Sequence, residues 1–478
     1  MKVCFLVPPV VIGDLPAERS SGCTHVVYPT PNIYELQVAA CVREAKHQIQ
    51  YLDCVNGKIA ISDFLDSQKQ NPSDVYAIWT VNLSIENDVE VVKQLRRVVP
   101  NSFVVFLGPG AHYYTDIAHV DDRTIVVHGE PEMTLIDLLD ALQNNADLSE
   151  INGLSYVKNG QTIRTPMRAL MKDLDSLPFP ARDLVASVEY RNPKLKLTPY
   201  TTMVTSRNCP FHCIYCVPSS LTFAREIEYK HYFGKKPPIS FRSVEKVREE
   251  IAYLHSCGVR AIGFMDDNFI WNEKRTKAIC DALKEYEIVW GCQARVDAIT
   301  EPIAKMLGES GCRYVDLGVE SFYEKILEYV HKGITRQQIY AAIHWLQKYG
   351  VPVKLNILIG TSPLETKETI KETIREARKL DVDQLMINIV SPFPETELYD
   401  LAIENGWIKG GKYVPTDVQR NSILNYPHLS AKEMEHLLFV SNLKYFLSPR
   451  FVWKQIWRFR SWKDFTHALR TLKIKLFG

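Results

Sequence analysis

The stretch Ser206-Arg-Asn-Cys-Pro-Phe-His-Cys-Ile-Tyr-Cys-Val-Pro218 sets Cys209, Cys213 and Cys216 in a C-x-x-x-C-x-x-C spacing. Three thiolates crowded into one short loop, with no fourth nearby, suit a four-iron cluster that keeps one iron open for a small chelating ligand. A four-cysteine electron-transfer cluster needs another ligand close by, and the next cysteine is Cys257, beyond a predicted helix. Zinc is the alternative, because His212 lies in the same loop and Cys₃His sites are common. Structural zinc sites, however, usually pair two knuckles distant in sequence. The other cysteines, such as Cys4, Cys41 and Cys312, show no disulfide-framework spacing.

Outward from this loop, the chain reads as alternating strands and helices on both sides. Before it, apolar runs at Val3–Val7, Gln48–Leu52, Val75–Trp79, Phe103–Leu107 and Thr124–Val127 alternate with helical patterns at Asn32–Lys46, Ile85–Val98 and Pro131–Gln143. Buried runs separated by helices predict a doubly wound parallel sheet of Rossmann type over residues 1–148. Ligands of such sheets bind beyond the strands' carboxyl ends. Those ends carry Pro9, Thr80, the Gly108-Pro-Gly110-Ala-His112 turn and the Gly129-Glu130-Pro-Glu132 turn. Ordinary strand-to-helix turns also favour Gly and Pro, so composition leaves both readings open.

Residues 149–198 read as a linker containing a hairpin, because Asn159-Gly160 is a two-residue turn flanked by strand-like sequence. Six further strand candidates follow over 199–400: Thr201–Thr205, Ala261–Met265, Ile288–Cys292, Tyr314–Gly318, Val353–Ile359 and Gln384–Val390. With helices expected at Ser243–Ser256, Glu273–Tyr286, Glu301–Ser310, Thr335–Tyr349 and Lys367–Leu380, they predict a partial (β/α)₆ barrel of TIM type. Active-site groups belong at the carboxyl ends of its strands. Residues 401–478 are expected to form a helical carboxyl-terminal region.

The strand ends of that barrel carry chemistry. Asp266 and Asp267 follow the second strand; two adjacent carboxylates there need water, a helix to cap or a cation such as a bound ammonium. Arg295 follows the third and can clamp a carboxylate bidentately or pair with Asp266, Asp297 or Glu320. Glu320 and Ser321 follow the fourth, and Ile359 closes the fifth ahead of Gly360.

The cysteine loop resembles the signature of the radical S-adenosylmethionine (SAM) enzymes, C-x-x-x-C-x-aromatic-C, with Tyr215 in the aromatic place. The resemblance implies a [4Fe-4S] cluster on Cys209, Cys213 and Cys216, whose open iron chelates SAM and whose electron splits it to a 5′-deoxyadenosyl radical. It also implies that Tyr215 and Ile359 lie near the adenine, Asp266 and Asp267 near the methionine amino group, and Glu320 and Ser321, in a Gly-x-Glu-Ser motif, at the amino-acid or ribose part. Arg295 would take the carboxylate.

The order of Rossmann-like domain, linker and cysteine loop is similar to the cobalamin-binding subfamily of these enzymes. On that resemblance Pro9, Thr80, Gly108, Gly110, His112, Gly129 and Glu130 would contact cobalamin. This chain departs from the pattern: the usual Gly-Gly-Pro-His turn is replaced by Gly108-Pro-Gly-Ala-His112, and no Asp-x-His-x-x-Gly motif occurs.

The resemblance implies a cobalamin-dependent radical methyltransferase acting on an unactivated carbon of a small molecule, supplied with electrons by a partner such as flavodoxin or ferredoxin. Cyclisation, oxidation or carbon–carbon bond formation with the same radical is the alternative within enzymes. A cobalamin or cluster sensor without turnover is the alternative outside them. The 478 residues carry 57 Lys plus Arg against 56 Asp plus Glu, a net charge of +1 that offers no footprint for nucleic acid. The amino-terminal apolar run is too short for a signal peptide, so a cytoplasmic protein is expected. Residues 444–478 interleave Lys and Arg with Trp and Phe; they read either as helices packed on the barrel or as a peripheral membrane contact, the latter suggesting a lipid substrate.

Overall fold

The computed structural model describes residues 1–26, 28–449 and 451. Most of the basic aromatic tail read from 444–478 therefore lies outside the described residues. No helix among the described residues is long and apolar enough to cross a membrane. The chain forms two compact units: Met1–Pro210 with Val217–Asp267, and Phe211–Cys216 with the chain from Asn268 onward.

The first unit is built on a seven-stranded sheet. Its strands are β1 (Lys2–Val7), β2 (Gln48–Asp53), β3 (Val75–Trp79), β4 (Phe103–Leu107), β5 (Thr124–Val127), β6 (Leu154–Lys158) and β7 (Gln161–Arg164), in the order β2-β1-β3-β4-β5-β6-β7. Pairing is parallel through β5, with Val3 opposite Ile49 and Val75 opposite Phe103. Helices α1 (Ile33–Glu44), α2 (Ile61–Gln70), α3 (Ile85–Val98), the one-turn α4 (Gly110–Tyr113) and α5 (Thr115–Ala118), and α6 (Pro131–Asn144) connect the strands.

The two-residue period of a strand explains the layering. Val75, Ala77 and Trp79 pack with Ile33, Val38, Leu135 and Leu138 on one face, whereas Tyr76 and Ile78 pack with Phe64, Val89 and Leu95 on the other. A strand buried on both faces reads as a continuous apolar run, as the parallel assignment required. Helix α2 escapes a sequence reading because only Phe64 and Gln68 of its polar decapeptide are buried.

The expected hairpin forms, with Asn159 (φ 55°) and Gly160 (φ 75°) in its turn. It is more than a connector, however. β6 pairs antiparallel with β5, Ile125 facing Tyr156, and extends the sheet.

The first unit also holds β8 (Tyr200–Met203), the short antiparallel pair β9 (Ser206–Arg207) and β10 (Ser240–Phe241), and β11 (Ala261–Phe264), which runs parallel to β8 with Thr201 opposite Ile262. Between them lie α7 (Ser220–Phe233) and α8 (Val244–Ser256), the latter capped by Ser243, whose hydroxyl accepts from the Lys246 amide at 3.0 Å. Helix α7 was not expected. Every residue from Ser220 to Glu228 is buried, including Arg225, Glu226 and Glu228, so no apolar stripe marks it.

The second unit carries α9 (Glu273–Glu285), β12 (Val289–Arg295), α10 (Glu301–Glu309), β13 (Cys312–Glu320), α11 (Glu324–Tyr329), α12 (Arg336–Lys348), β14 (Val353–Ile359), α13 (Lys367–Lys379), β15 (Gln384–Ile389), α14 (Glu397–Glu404) and α15 (Ala431–Phe446). β12 through β15 pair in parallel, with Leu317 opposite Leu355 and Ile357 opposite Ile387. β12 and β13 run further than expected and end on Arg295 and Glu320 themselves. Thr335 with Gln338, and Ser430 with Glu433, close capping boxes at α12 and α15. Beyond α14, Val418 accepts from the Ile389 amide and Tyr426 donates to the Gly360 carbonyl at 2.8 Å, so the carboxyl-terminal region packs on the ends of β14 and β15.

The glycines after β4 have a local explanation. Gly108 sits at φ +82°, where an added Cβ would stand 2.7 Å from the Thr80 carbonyl oxygen and 2.9 Å from Trp79 Nε1; at Gly110 it would stand 2.9 Å from the Val81 nitrogen. Their missing side chains make room for the chain's own β3–α3 turn. Gly108→Ala should lower unfolding stability by about 2 kcal/mol or more, from left-handed backbone cost plus overlap with backbone that cannot move. Urea titration followed by circular dichroism measures it.

Candidate functional site

In the first unit, the cysteine loop leaves β9 through Asn208, which adopts φ 78° and is buried. The adjacent acids after β11 hold the two ends of this loop. Asp266 accepts from the Thr205 amide at 3.1 Å, from the Thr205 hydroxyl at 2.8 Å and from the Ser206 hydroxyl at 2.6 Å. Asp267 accepts from the Ser219 amide at 2.7 Å and the Thr222 hydroxyl at 2.6 Å, and so caps α7 where the loop ends. Hydrogen bonds to an ionised carboxylate are among the stronger ones in a protein.

Just ahead of Cys209, Arg207 donates to Glu130 at 2.7 Å and to Glu132. From α7, Arg225 lies 2.9 Å from Glu130 and bonds the Asn208 side-chain carbonyl. Burial works to raise the Glu130 carboxyl, but Arg207 and Arg225 hold it below its ordinary value. Glu132 was not singled out from the sequence. Its signal was the charge spacing across the Glu-Pro-Glu turn, which no local pattern connects to Arg207.

In the second unit, the segment Phe211–Cys216 lies along the turn after α11. The Ile214 amide donates to the Val330 carbonyl at 3.3 Å, the Cys216 amide donates to the Cys213 carbonyl at 3.1 Å, and Cys213 Sγ stands 3.8 Å from the His331 carbonyl. Tyr215 is buried, its hydroxyl on the side of Cys213. Burial, then the charges of Glu320 and Cys213, push its phenol well above the ordinary range.

Around this segment stand two ion pairs. Arg295 bonds Asp297 bidentately at 2.9 and 3.0 Å, donates to the Lys332 carbonyl at 2.7 Å, and stacks 3.4 Å above the Phe211 ring centroid. The blander of its two sequence readings, a pair with Asp297, is what the geometry contains. Lys332 Nζ bonds Glu320 Oε1 at 2.9 Å, at a bulge where Glu320 takes φ 66°. An added Cβ on Gly318 would lie 2.9 Å from both partners, so that glycine makes room for the pair. Burial opposes the charge on Lys332, yet Glu320 and Cys213 raise its pKa. Sequence reading missed Lys332, a lone cation in a loop with no motif.

Ser321 accepts from the Tyr323 amide at 3.1 Å and lies 3.3 Å from the Thr373 hydroxyl. Ile359 is buried at the end of β14, and the next two amides, of Gly360 and Thr361, donate to Glu365 at 2.9 and 2.8 Å. None of the cysteines is disulfide-bonded.

Residues read as cobalamin contacts are mostly engaged within the chain. The Pro9 carbonyl accepts from Asn87 at 3.0 Å, and the Thr80 hydroxyl lies 3.2 Å from that of Ser84. His112 belongs to a buried chain of neutral rings. The Gly129 amide donates to His112 Nε2 at 3.0 Å, which leaves the His112 proton on Nδ1, facing His128 Nδ1 at 3.2 Å; His128 Nε2 then meets the Ser155 hydroxyl at 2.8 Å. Glu228 is near enough for the three to ligate a metal. The amide at His112 Nε2 and the Arg164 partner of Glu228 make the cluster a hydrogen-bonded buttress instead.

A family comparison matches residues 203–377 to the Radical SAM superfamily. An uncharacterized methyltransferase of Pyrococcus horikoshii is 32% identical over 464 residues, 95% of this chain and 95% of the relative. The cytidylyl-2-hydroxyethylphosphonate methyltransferase of Streptomyces wedmorensis is 22% identical over 439 residues, 83% of this chain and 80% of its own length. Among solved structures, the radical S-adenosylmethionine methyltransferase TsrM from Kitasatospora setae, with cobalamin and a [4Fe-4S] cluster bound, matches with a TM-score of 0.62 at 16% identity, covering 79% of this chain and 72% of that one. The fold is thus a Rossmann-type domain followed by a partial radical SAM barrel. The chain belongs to the radical SAM superfamily.

The histidine chain sets a pH dependence. Burial, reinforced by Arg164, lowers His112 from 6.5 to about 3; burial, with His112 next, lowers His128 well below 6.5. Both rings stay neutral when folded and take up protons near 6.5 when unfolded. The His112 contribution is therefore whole above pH 6.5 and is lost as pH falls toward 3, by about 1.4 kcal/mol per pH unit, and His128 acts in the same direction. Urea midpoints across that range should fall steadily.

Proposed function

We propose that this chain is a cobalamin-dependent radical SAM methyltransferase acting on an unactivated carbon of a small molecule. The observation that carries the reading is the Cys209, Cys213 and Cys216 loop leaving β9, with no fourth cysteine in the loop. The chain's own residues suit the cofactors it implies. Thiol ligands suit an iron–sulfur cluster. The buried Tyr215 ring, set beside Cys213, suits the apolar face of a nucleoside. At the carboxyl end of the β3 strand, Asn82 has both side-chain polar atoms buried and unpartnered among the described residues. Such groups cost free energy unless a bound molecule completes their hydrogen bonds, and the amide-rich rim of cobalamin can do so.

When bound, the cluster supplies the electron that divides SAM into methionine and a 5′-deoxyadenosyl radical, drawn from a donor such as flavodoxin or ferredoxin. Cobalamin, when bound, supplies a methyl carrier. The remaining work falls to side chains. Asp266 and Asp267 hold the ends of the cysteine loop, and Arg295 keeps Phe211 fixed against it. The Glu320–Lys332 pair sets a balanced charge beside Cys213 and Tyr215. Ile359, with the apolar β14 end, keeps water away from a reactive carbon, which a primary radical demands.

Two measurements test this. Anaerobically reconstituted protein, reduced with dithionite in the presence of SAM, should form 5′-deoxyadenosine, and Cys213→Ala or Cys216→Ala should lower the rate at least a hundredfold. Cobalamin titrated into the same protein should give a saturable optical change, and Asn82→Ala should weaken it by about tenfold, the worth of one charge-free buried hydrogen bond. Formation of 5′-deoxyadenosine without any cobalamin binding would point to cyclisation or oxidation in place of methyl transfer.

A further inference from the structure

The Gly-Glu-Pro-Glu turn after β5 does something that its place at a sheet end does not suggest. We propose that Glu130 and Glu132 are positioning residues for the cysteine loop: with Arg207 and Arg225 they form a buried four-charge network that fixes the Cys209 end of the loop to the amino-terminal sheet. This rests on the reading that the loop holds a cluster.

All four side chains are inaccessible, with Arg225 and Glu132 at 0% and 1% exposure and Arg207 and Glu130 at 5% and 7%. Arg207 is two residues ahead of Cys209 and divides its guanidinium between the two carboxylates. Arg225 approaches Glu130 from α7, the helix that the loop leads into, and also bonds Asn208, the residue immediately before Cys209. The second oxygen of Glu130 accepts from the Met171 amide at 2.6 Å, so both of its oxygens are occupied. Two guanidiniums balance two carboxylates, and the network needs no outside counterion.

Stability alone does not account for such an arrangement. Buried ion networks are often no more stable than apolar side chains of the same volume, whereas removing one partner strands a charge. What paired guanidinium and carboxylate groups supply is direction, since the planar fork fixes both partners at once. Here that direction is imposed on Arg207 and Asn208, at the place where β9 gives way to irregular backbone. A thiolate presented by irregular backbone needs such an anchor to meet iron at a fixed position.

The test uses the full chain with its cluster reconstituted anaerobically, comparing wild type, Glu132→Gln, Glu130→Gln and Asp88→Asn. Asp88 is a control, because it forms a similarly buried bidentate pair with Arg19, at 2.7 and 2.8 Å, that does not touch the loop. All three variants should lose thermal stability. Only the two Glu variants should lose iron and sulfide per chain severalfold and broaden the electron paramagnetic resonance spectrum of the reduced cluster, and their cobalamin affinity should stay within twofold of wild type. Should a Glu variant fail to fold, Arg207→Lys preserves the charge, removes the fork and should show the same iron loss.

A full iron complement with an unchanged spectrum in Glu132→Gln overturns the proposal. So does equal iron loss in Asp88→Asn, or a Glu130→Gln variant that loses cobalamin affinity and keeps its cluster. Failure of the wild type to hold a cluster overturns the functional reading, and this proposal with it.

Discussion

Three thiols can serve one metal cluster only if the loop that carries them is held from outside. The loop has little backbone ladder of its own, and fixing a residue without compensating contacts costs about 1–2 kcal/mol of conformational entropy. In this chain the compensation is electrostatic. Asp266 and Asp267, consecutive residues after one strand, take the two ends of the loop, while the Arg207 and Arg225 network grips its entry. Each anchor is a charged group bonded to several donors or acceptors, and each sits on a strand end or in the first turns of a helix. Regular elements thereby impose their order on a segment that has none.

The same economy of charge recurs beside the rest of the loop. Arg295 pairs with Asp297 and Lys332 with Glu320, so the surroundings of Cys213 and Tyr215 carry two cations and two anions. Each pair is formally neutral and adds no net charge beside the loop. A buried, neutral histidine chain holds the turns after β4 and β5 without adding charge near the amino-terminal strand ends. The Asn82 amide, at the end of β3, is among the buried side chains with both polar atoms unpartnered among the described residues.

Much of the architecture was legible from hydrophobic period. Strands such as Val75–Trp79 and Val353–Ile359 appear in the structure where the apolar runs lay, because burial on both faces or alternate faces writes itself into composition. Helix α7 was invisible for the opposite reason: its buried face is filled by Arg225, Glu226 and Glu228, whose partners are distant in sequence. The site divides in the same way. Motif residues announced themselves through spacing. Lys332, Glu132 and the anchoring use of the paired acids did not, since bonds to residues 12 to 75 positions away leave no local trace. The Gly108 turn shows the limit of composition most directly, because its glycines answer to the Thr80 and Val81 backbone.

The central claim is that the three cysteines hold a cluster with one iron open to SAM. Mössbauer spectroscopy of ⁵⁷Fe-reconstituted protein, with and without SAM, tests it most directly. The account predicts a four-iron cluster in which one iron site alone changes its isomer shift when SAM is added. Stoichiometric zinc in the protein as isolated, or a four-iron spectrum indifferent to SAM, would contradict it.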